Sequence, residues 1–500
     1  MSFVNTIVDL WGAKRMKRIA SYSEHSSDIQ HDQFLQLIAK ASKTIIGAEY
    51  DYKSIKNHST FAERVPVRDY VDYHPYIERM LNGEKNVCWP GKVKWFAKSS
   101  GTTDSKSKFI PVTDDALQKC HYMGAKDCVI AYIASHPQSQ MLKGKCLTLG
   151  GSKEISNVSR GIQTGDLSAI LIGNSPFWSD FVKTPIRDIA LLAKWEEKLE
   201  KITTATINEN VTSLAGVPSW FLILLKHVLE VTGKNNLHEV WPNLELFMHG
   251  GINFTPYRNQ YKQLCPKGIN FMETYNASEG FFGIQTEEGE DMRLMLDYGI
   301  FYEFVPLSEV GNPYPQARTI DNVELDTDYA VVITTNGGLW RYMIGDTIKF
   351  TSLKPHRFII TGRTKHYINA FGEELMIANA EYGLRKACEA TNSEIREYTA
   401  APVFMNISTQ GCHEWLIEFS KEPNSIQQFA DELDKALREV NSDYDAKRYK
   451  NITLAAPKIT LARNNLFYDW LKSKDKLGGQ NKVPRLSNNR EYIDSLEKLN

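Results

Sequence analysis

Between positions 98 and 108 the chain reads Lys98-Ser99-Ser100-Gly101-Thr102-Thr103-Asp104-Ser105-Lys106-Ser107-Lys108, small hydroxyls around one glycine with three lysines. Such a run suits a polyphosphate. Backbone N–H groups form an anion-binding concavity, and the ammonium groups supply charge. The ordinary alternative is a solvated hairpin tip. The run does not fit GxxxxGK[ST], and the chain holds neither GxGxxG nor HExxH. A P-loop, a dinucleotide fingerprint and a zincin helix are therefore excluded.

Three further segments carry chemistry-bearing residues. In Tyr275-Asn276-Ala277-Ser278-Glu279-Gly280-Phe281-Phe282-Gly283-Ile284-Gln285, one carboxylate sits among aromatics and glycines. A buried unpaired carboxylate is costly, and a hard cation such as Mg²⁺, which favours a carboxylate with phosphate oxygens, would resolve that. In Trp340-Arg341-Tyr342-Met343-Ile344-Gly345-Asp346, the acid read just past a strand could accept from ribose hydroxyls or be an ordinary turn residue. Thr361-Gly362-Arg363-Thr364-Lys365-His366 offers cations beside a glycine, which alone reads as a surface turn.

The elements that must hold these residues alternate between apolar strands and polar loops. Val93–Ala97 and Phe109–Val112 flank the first run as strands. Thr113 is an N-cap with two acids behind it, opening a helix to about His136. Strands over Cys146–Leu149, Leu244–Met248 and Asn270–Thr274 end at Gly150-Gly151, His249-Gly250-Gly251 and the Tyr275 loop. Val217–Val231 is an apolar helix with Pro218 in its first turn. Asn336-Gly337-Gly338 predicts a type I′ hairpin turn, with the second strand ending at Gly345-Asp346. The first 90 or so residues are helical and amphipathic, as over Gln33–Ile46. Beyond about Arg363 the pattern turns to a mixed α+β tail: strands over 398–405, 414–419 and 452–461, and an amphipathic helix Ile426–Val440. Loops gathered beyond strand ends imply one shared site in an open α/β sheet.

Composition bounds the reading. The 500 residues are 42% hydrophobic and 24% charged with formal net charge -1, so no global charge points to nucleic acid or an anionic membrane. Seven cysteines without zinc spacing suit a reduced, cytoplasmic setting. Met1–Ala20 lacks the apolar core of a signal peptide, and no apolar run is long enough to span a membrane.

Taken together and in order, the four segments resemble the adenylate-forming superfamily of acyl-CoA ligases, luciferases and adenylation domains. They resemble more closely the GH3 family of acyl-acid amido synthetases. The likeness is specific in Ser99-Ser100-Gly101-Thr102-Thr103 with Lys108-Phe109-Ile110-Pro111, and in Tyr275-x-x-Ser278-Glu279-x-x-Phe282-Gly283-Ile284. It extends to the near-terminal Gly479-Gln480-Asn481-Lys482-Val483-Pro484-Arg485 and covers nearly the whole chain. Two features depart from the pattern: Asp104-Ser105 in the first loop, and Gln285 where plant relatives usually have Asn.

The resemblance implies an α/β fold. A large N-terminal adenylation domain (1–362) with mixed sheets would carry a smaller, mobile α+β C-terminal domain (363–500), hinged near 362–366. It implies ATP and Mg²⁺ as cofactors. Ser99, Ser100, Gly101, Thr102 and Thr103 would cradle phosphates, with Ser278 near them. Gly250, Gly251 and Tyr275 would lie by the adenine. Asp346 would take the ribose hydroxyls with Arg363 beside it. Glu279 would hold the metal, and Lys482 would approach the reacting carboxylate. Val217, Trp220 and Phe282 are candidates for the acyl pocket, with plain core packing as the alternative for each. The implied reaction activates a carboxylic acid as its adenylate and transfers the acyl group to an amine, foremost an amino acid. A thiol acceptor, or a nucleotide-binding protein without turnover, are the competing readings. The partners are thus a small acyl acid and an amine, with no nucleic acid, membrane or obligate protein partner.

Overall fold

The computed structural model describes residues 3–99, 108–151, 156–159, 161–192, 194–255, 257–364, 367–405, 409–448, 454–474 and 483–500. An eleven-stranded sheet organises the larger part. One half is parallel: Lys183–Thr184, Lys145–Thr148, Val211–Gly216, Leu246–Gly250 and Asn270–Ala277 lie side by side in that order. The other half, from Gly280–Ile284 to Ile300–Pro306, is antiparallel. The switch falls at Asn270–Ala277, and ligands gather at the carboxyl ends of parallel strands. A separate four-stranded sheet pairs Trp95–Ser99 with Lys108–Val112, so residues 100–107, which lie outside the described residues, join two antiparallel strands.

Local signals act as the sequence predicts at several points. The Thr113 hydroxyl accepts from the Ala116 N–H at 3.0 Å and starts the helical run that ends at Ser135. Pro218 occupies the first turn of Pro218–Thr232. The helix Ile426–Val440 has the predicted limits and buries Phe429, Leu433 and Leu437 on one face. The N-terminal helix Phe3–Ala20 is pinned by Arg15, paired with Asp127 at 2.7 Å and Asp297 at 2.6 Å.

Two predictions about strand ends are corrected. The Asn336-Gly337 turn is not type I′. Gly338 donates to Thr335 O at 3.0 Å and alone carries the positive φ, +90°, which fits a turn followed by a glycine bulge. Asn336 is instead tied down, its N–H donating to Gly299 O at 2.9 Å. The second strand does not stop at Gly345-Asp346 either. It runs over Tyr342–Leu353, because Ile348 and Phe350 continue the buried face, and Asp346 lies mid-strand opposite Arg363.

The smaller, C-terminal part is α+β. Strands Glu394–Val403, Cys412–Lys421 and Lys458–Leu461 form its sheet, covered by Ile377–Thr391 and Ile426–Val440. Its core is continuous with that of the parallel half: Phe371, Trp415 and Phe429 share one apolar cluster with Phe221, Phe247 and Tyr261. The Tyr257 hydroxyl donates to Ala370 O (2.8 Å), and Ser219 to Phe371 O (3.1 Å). Among the described residues no helix is long and apolar enough to cross a membrane.

Candidate active site

A cavity of about 2430 Å³ opens where the parallel strands end. Its wall includes Gly250, Gly251, Tyr275, Ser278, Glu279 and Asp346 from the sheet, and Asp443 and Lys447 from the C-terminal part. The segment read as a loop after Thr274 is a hairpin. Strand Asn270–Ala277 continues past Thr274, Ser278-Glu279 make the turn, and Gly280–Ile284 returns. Gly280–Ile284 is buried along its whole length, while Ser278 and Glu279 at the turn line the cavity.

Glu279 is partly exposed to that cavity. Burial pushes its carboxyl above the usual range, and Lys108 draws it back only in part. Among the described residues it makes no ion pair. The Tyr342 hydroxyl, close enough to feel this carboxylate, is buried with no hydrogen-bond partner among the described residues. A carboxylate whose charge is only partly offset, beside an orphaned hydroxyl, fits Mg²⁺ carried in with phosphate oxygens and water. Among the described residues no cluster of three His, Cys, Asp or Glu side chains forms a metal cage, so the substrate would have to complete the shell.

Asp346 and Arg363 meet as a cross-strand pair, Arg363 Nε donating to Asp346 Oδ1 at 2.6 Å. The Tyr275 hydroxyl donates to the other carboxylate oxygen. Arg363 also lies over the Tyr367 ring at 4.8 Å. Burial pushes Tyr275 well above the usual tyrosine range, so it stays a donor. The pair leaves Asp346 lone pairs toward the cavity for a diol.

At Gly250 a Cβ would stand 2.3 Å from the Thr274 carbonyl, so only glycine permits this strand contact. Lys198 fixes the neighbouring loop, donating to Gly150 O at 2.5 Å and Gly151 O at 3.0 Å; burial lowers it to about 8. Val217 and Trp220 reach the cavity wall. Phe282 does not: it is 1% exposed and packs between Tyr275 and Tyr302. Strand alternation brings Phe281 to the cavity instead.

Ser100, Gly101, Thr102, Thr103 and Lys482 lie outside the described residues, as do Asp104-Ser105 and Lys365-His366 of the predicted hinge; of Ser99 only the backbone is described. The sequence reading counts Lys108 among the charged residues of the first run without placing it against Glu279, and it misses Lys447. Lys108 is buried against the Tyr70 ring (5.8 Å) and faces Glu279; its place at the end of the lysine-bearing run was the available signal. Lys447 lies 3.6 Å over the Trp220 ring. In the sequence it and Asp443 are an ordinary i,i+4 pair, and only tertiary contact turns them inward.

Profiles described as the GH3 family N-terminal, central and C-terminal domains match residues 15–270, 293–363 and 378–491. The chain belongs to the GH3 family. This GH3 chain is 22% identical to indole-3-acetic acid-amido synthetase GH3.3 of Arabidopsis thaliana, over 94% of its own length and 91% of the relative's. It is 21% identical to 4-substituted benzoates-glutamate ligase GH3.12 of Arabidopsis thaliana, over 96% of each. Among solved structures, AtGH3.15 acyl acid amido synthetase in complex with 2,4-DB superposes with TM-score 0.62 at 17% identity, covering 97% of this chain and 95% of that one. A 2-hydroxyisobutyryl-CoA ligase shares the fold at TM-score 0.53 and 13% identity, covering 97% and 92%. The GH3 protein is thus an adenylate-forming ligase that acts on an acyl acid.

Proposed function

We propose that this GH3 enzyme converts a carboxylic acid and ATP to an acyl-adenylate and pyrophosphate, then passes the acyl group to an amine, releasing AMP. The convergence of Glu279, Lys108 and the Asp346–Arg363 pair on one cavity carries the reading. The amido synthetase and glutamate ligase names of its relatives support an amine, foremost an amino acid, as acceptor.

In this reading the Ser99–Thr103 loop cradles the phosphates beside Ser278, while Gly250, Gly251 and Tyr275 border the adenine. Asp346 accepts from the ribose hydroxyls, and Arg363 holds its carboxylate in place. Glu279 would hold Mg²⁺, which would supply positive charge against the phosphates. Lys108 adds charge from the strand behind. Lys482 approaches the substrate carboxylate from the C-terminal domain, which swings about residues 362–366 between the two steps and excludes water from the adenylate. The barrier falls mostly through positioning and charge stabilisation. Val217 and Trp220 border the acyl group. The seven cysteines are all free, which supports a reduced, cytoplasmic setting.

The test is acid-dependent exchange of labelled pyrophosphate into ATP over a panel of acids, followed by mass analysis of products with mixed amino acids and with coenzyme A. Exchange with amide products is expected. No exchange with any acid would remove the enzyme reading, and thioesters without amides would replace the acceptor.

A further inference from the structure

Lys447 sits on the short helix Ser442–Arg448, 5% exposed, at the wall of the cavity that also holds Glu279 and Asp346. Among the described residues its ammonium makes no hydrogen bond or ion pair and rests on the Trp220 ring. Lys198, on the same cavity and equally withdrawn, is satisfied by two carbonyls. The acids facing Lys447 are engaged elsewhere. Glu373 accepts from His413 at 2.7 Å and from the Phe371 N–H at 2.7 Å, and Asp166 accepts from the Ser168 N–H at 2.7 Å. Asp443, one turn earlier on the same helix, lends Lys447 a nearby negative charge. Gly372, at φ +87°, makes room for the lysine: a Cβ there would stand 3.3 Å from Nζ. An ammonium buried at a cavity wall without an acceptor calls for an anionic ligand group.

We infer that Lys447 is a positioning residue for the second step, docking the carboxylate of the amino-acid acceptor. This rests on the amide-forming reading above. The ATP phosphates belong to the loop at 99–103 and to Glu279, and the activated acid has spent its carboxylate in the adenylate. The attacking nitrogen must keep its lone pair free, so the acceptor has to be oriented through another of its groups. Lys447 supplies that anchor from the C-terminal part, beside the Trp220 that borders the acyl group.

The experiment uses an acid that the parent enzyme accepts, and compares an α-amino acid with its carboxamide as acceptor. The parent is expected to favour the amino acid. Lys447→Gln should raise the KM for the amino acid about 10- to 100-fold, with a smaller change in kcat, and bring it level with the carboxamide. Lys447→Arg should keep part of the preference. Acceptor-free pyrophosphate release reports whether each variant is folded; if Lys447→Gln is not, the parent's preference and Lys447→Arg decide. A parent that uses both acceptors equally well overturns the proposal, as does equal loss for both in the variant. Either result leaves amide formation standing. A parent that makes only thioesters overturns both readings.

Discussion

Glu303 and Glu279 belong to the same half of the large sheet, yet they are treated in opposite ways. Glu303, in Ile300–Pro306, is closed in by partners. Arg341 donates to it from Nε (3.1 and 3.0 Å) and Nη2 (2.8 Å), and His58 donates from Nε2 at 2.9 Å. The remaining Arg341 nitrogen donates to Val65 O at 2.7 Å and Ala62 O at 2.9 Å. Burial alone would push Glu303 up, but Arg341 and His58 hold it below the usual carboxylate range. Glu279 has no such clamp and is pushed up. A buried charge whose partners are all protein fixes the fold. A charge at a cavity wall whose partners are incomplete is set for a ligand. Arg341 and Asp346, five positions apart in one motif, fall on the two sides of that division.

The largest effect should come from opening the saturated pair. Arg341→Met leaves Glu303 buried with His58 alone, which should cost about 3–5 kcal/mol of stability. The unfolding midpoint in urea should fall sharply, with any surviving adenylation unchanged per folded molecule. Replacing Glu303 as well, by Leu, should recover much of the loss, because no stranded charge remains. A midpoint indifferent to the single change would erase the distinction between the two glutamates.

Glu279→Gln probes the other side. Stability should hold or rise slightly, since an uncompensated carboxylate is replaced by a neutral amide of the same shape. Adenylation should fall on the order of 10²–10³-fold, the usual cost of losing a group aimed at developing charge. Paired measurement of pyrophosphate release and unfolding midpoint reads both. A variant that unfolds early while adenylating normally would make Glu279 a structural residue like Glu303.

The local elements were legible in the sequence, whereas the clamp on Glu303, made by Arg341 and His58 from far along the chain, was not. The apolar period of Ile426–Val440 and the Thr113 cap each depend on neighbouring residues, and the family resemblance carried by the four polar segments implies the fold class. What was not legible depends on distant pairing. Asp346 reads as a strand end until Arg363 is placed opposite it. Phe282 reads as a cavity residue until the hairpin fixes which of two adjacent phenylalanines turns inward. Lys447 is an unremarked surface lysine until Trp220 arrives from more than 200 positions away. The switch from parallel to antiparallel pairing at Asn270–Ala277, which creates the cavity, also has no local signal.

His121 shows a third treatment, a titratable group kept neutral, and its effect should be the smallest. It is 2% exposed, and its Nδ1–H donates to Asn276 Oδ1 at 3.0 Å, bracing the hairpin that carries Glu279. Burial lowers it to about 4, against roughly 6.5 in an unfolded chain. Between those values the unfolded state binds the extra proton, so stability is full above about pH 6.5 and declines as the pH falls toward 4. By pH 5 the decline from this residue should reach about 2 kcal/mol. His249, lowered to about 3, and His356, lowered to about 4, both by burial, act in the same direction. Urea unfolding of the parent and of His121→Asn at pH 7 and pH 5 isolates the share of His121. The variant should be weaker at pH 7 but lose less on acidification. Equal losses in the two proteins would mean that His121 takes up its proton without leaving its site, and that the hairpin beneath Glu279 tolerates charge where the Glu303 cluster would not.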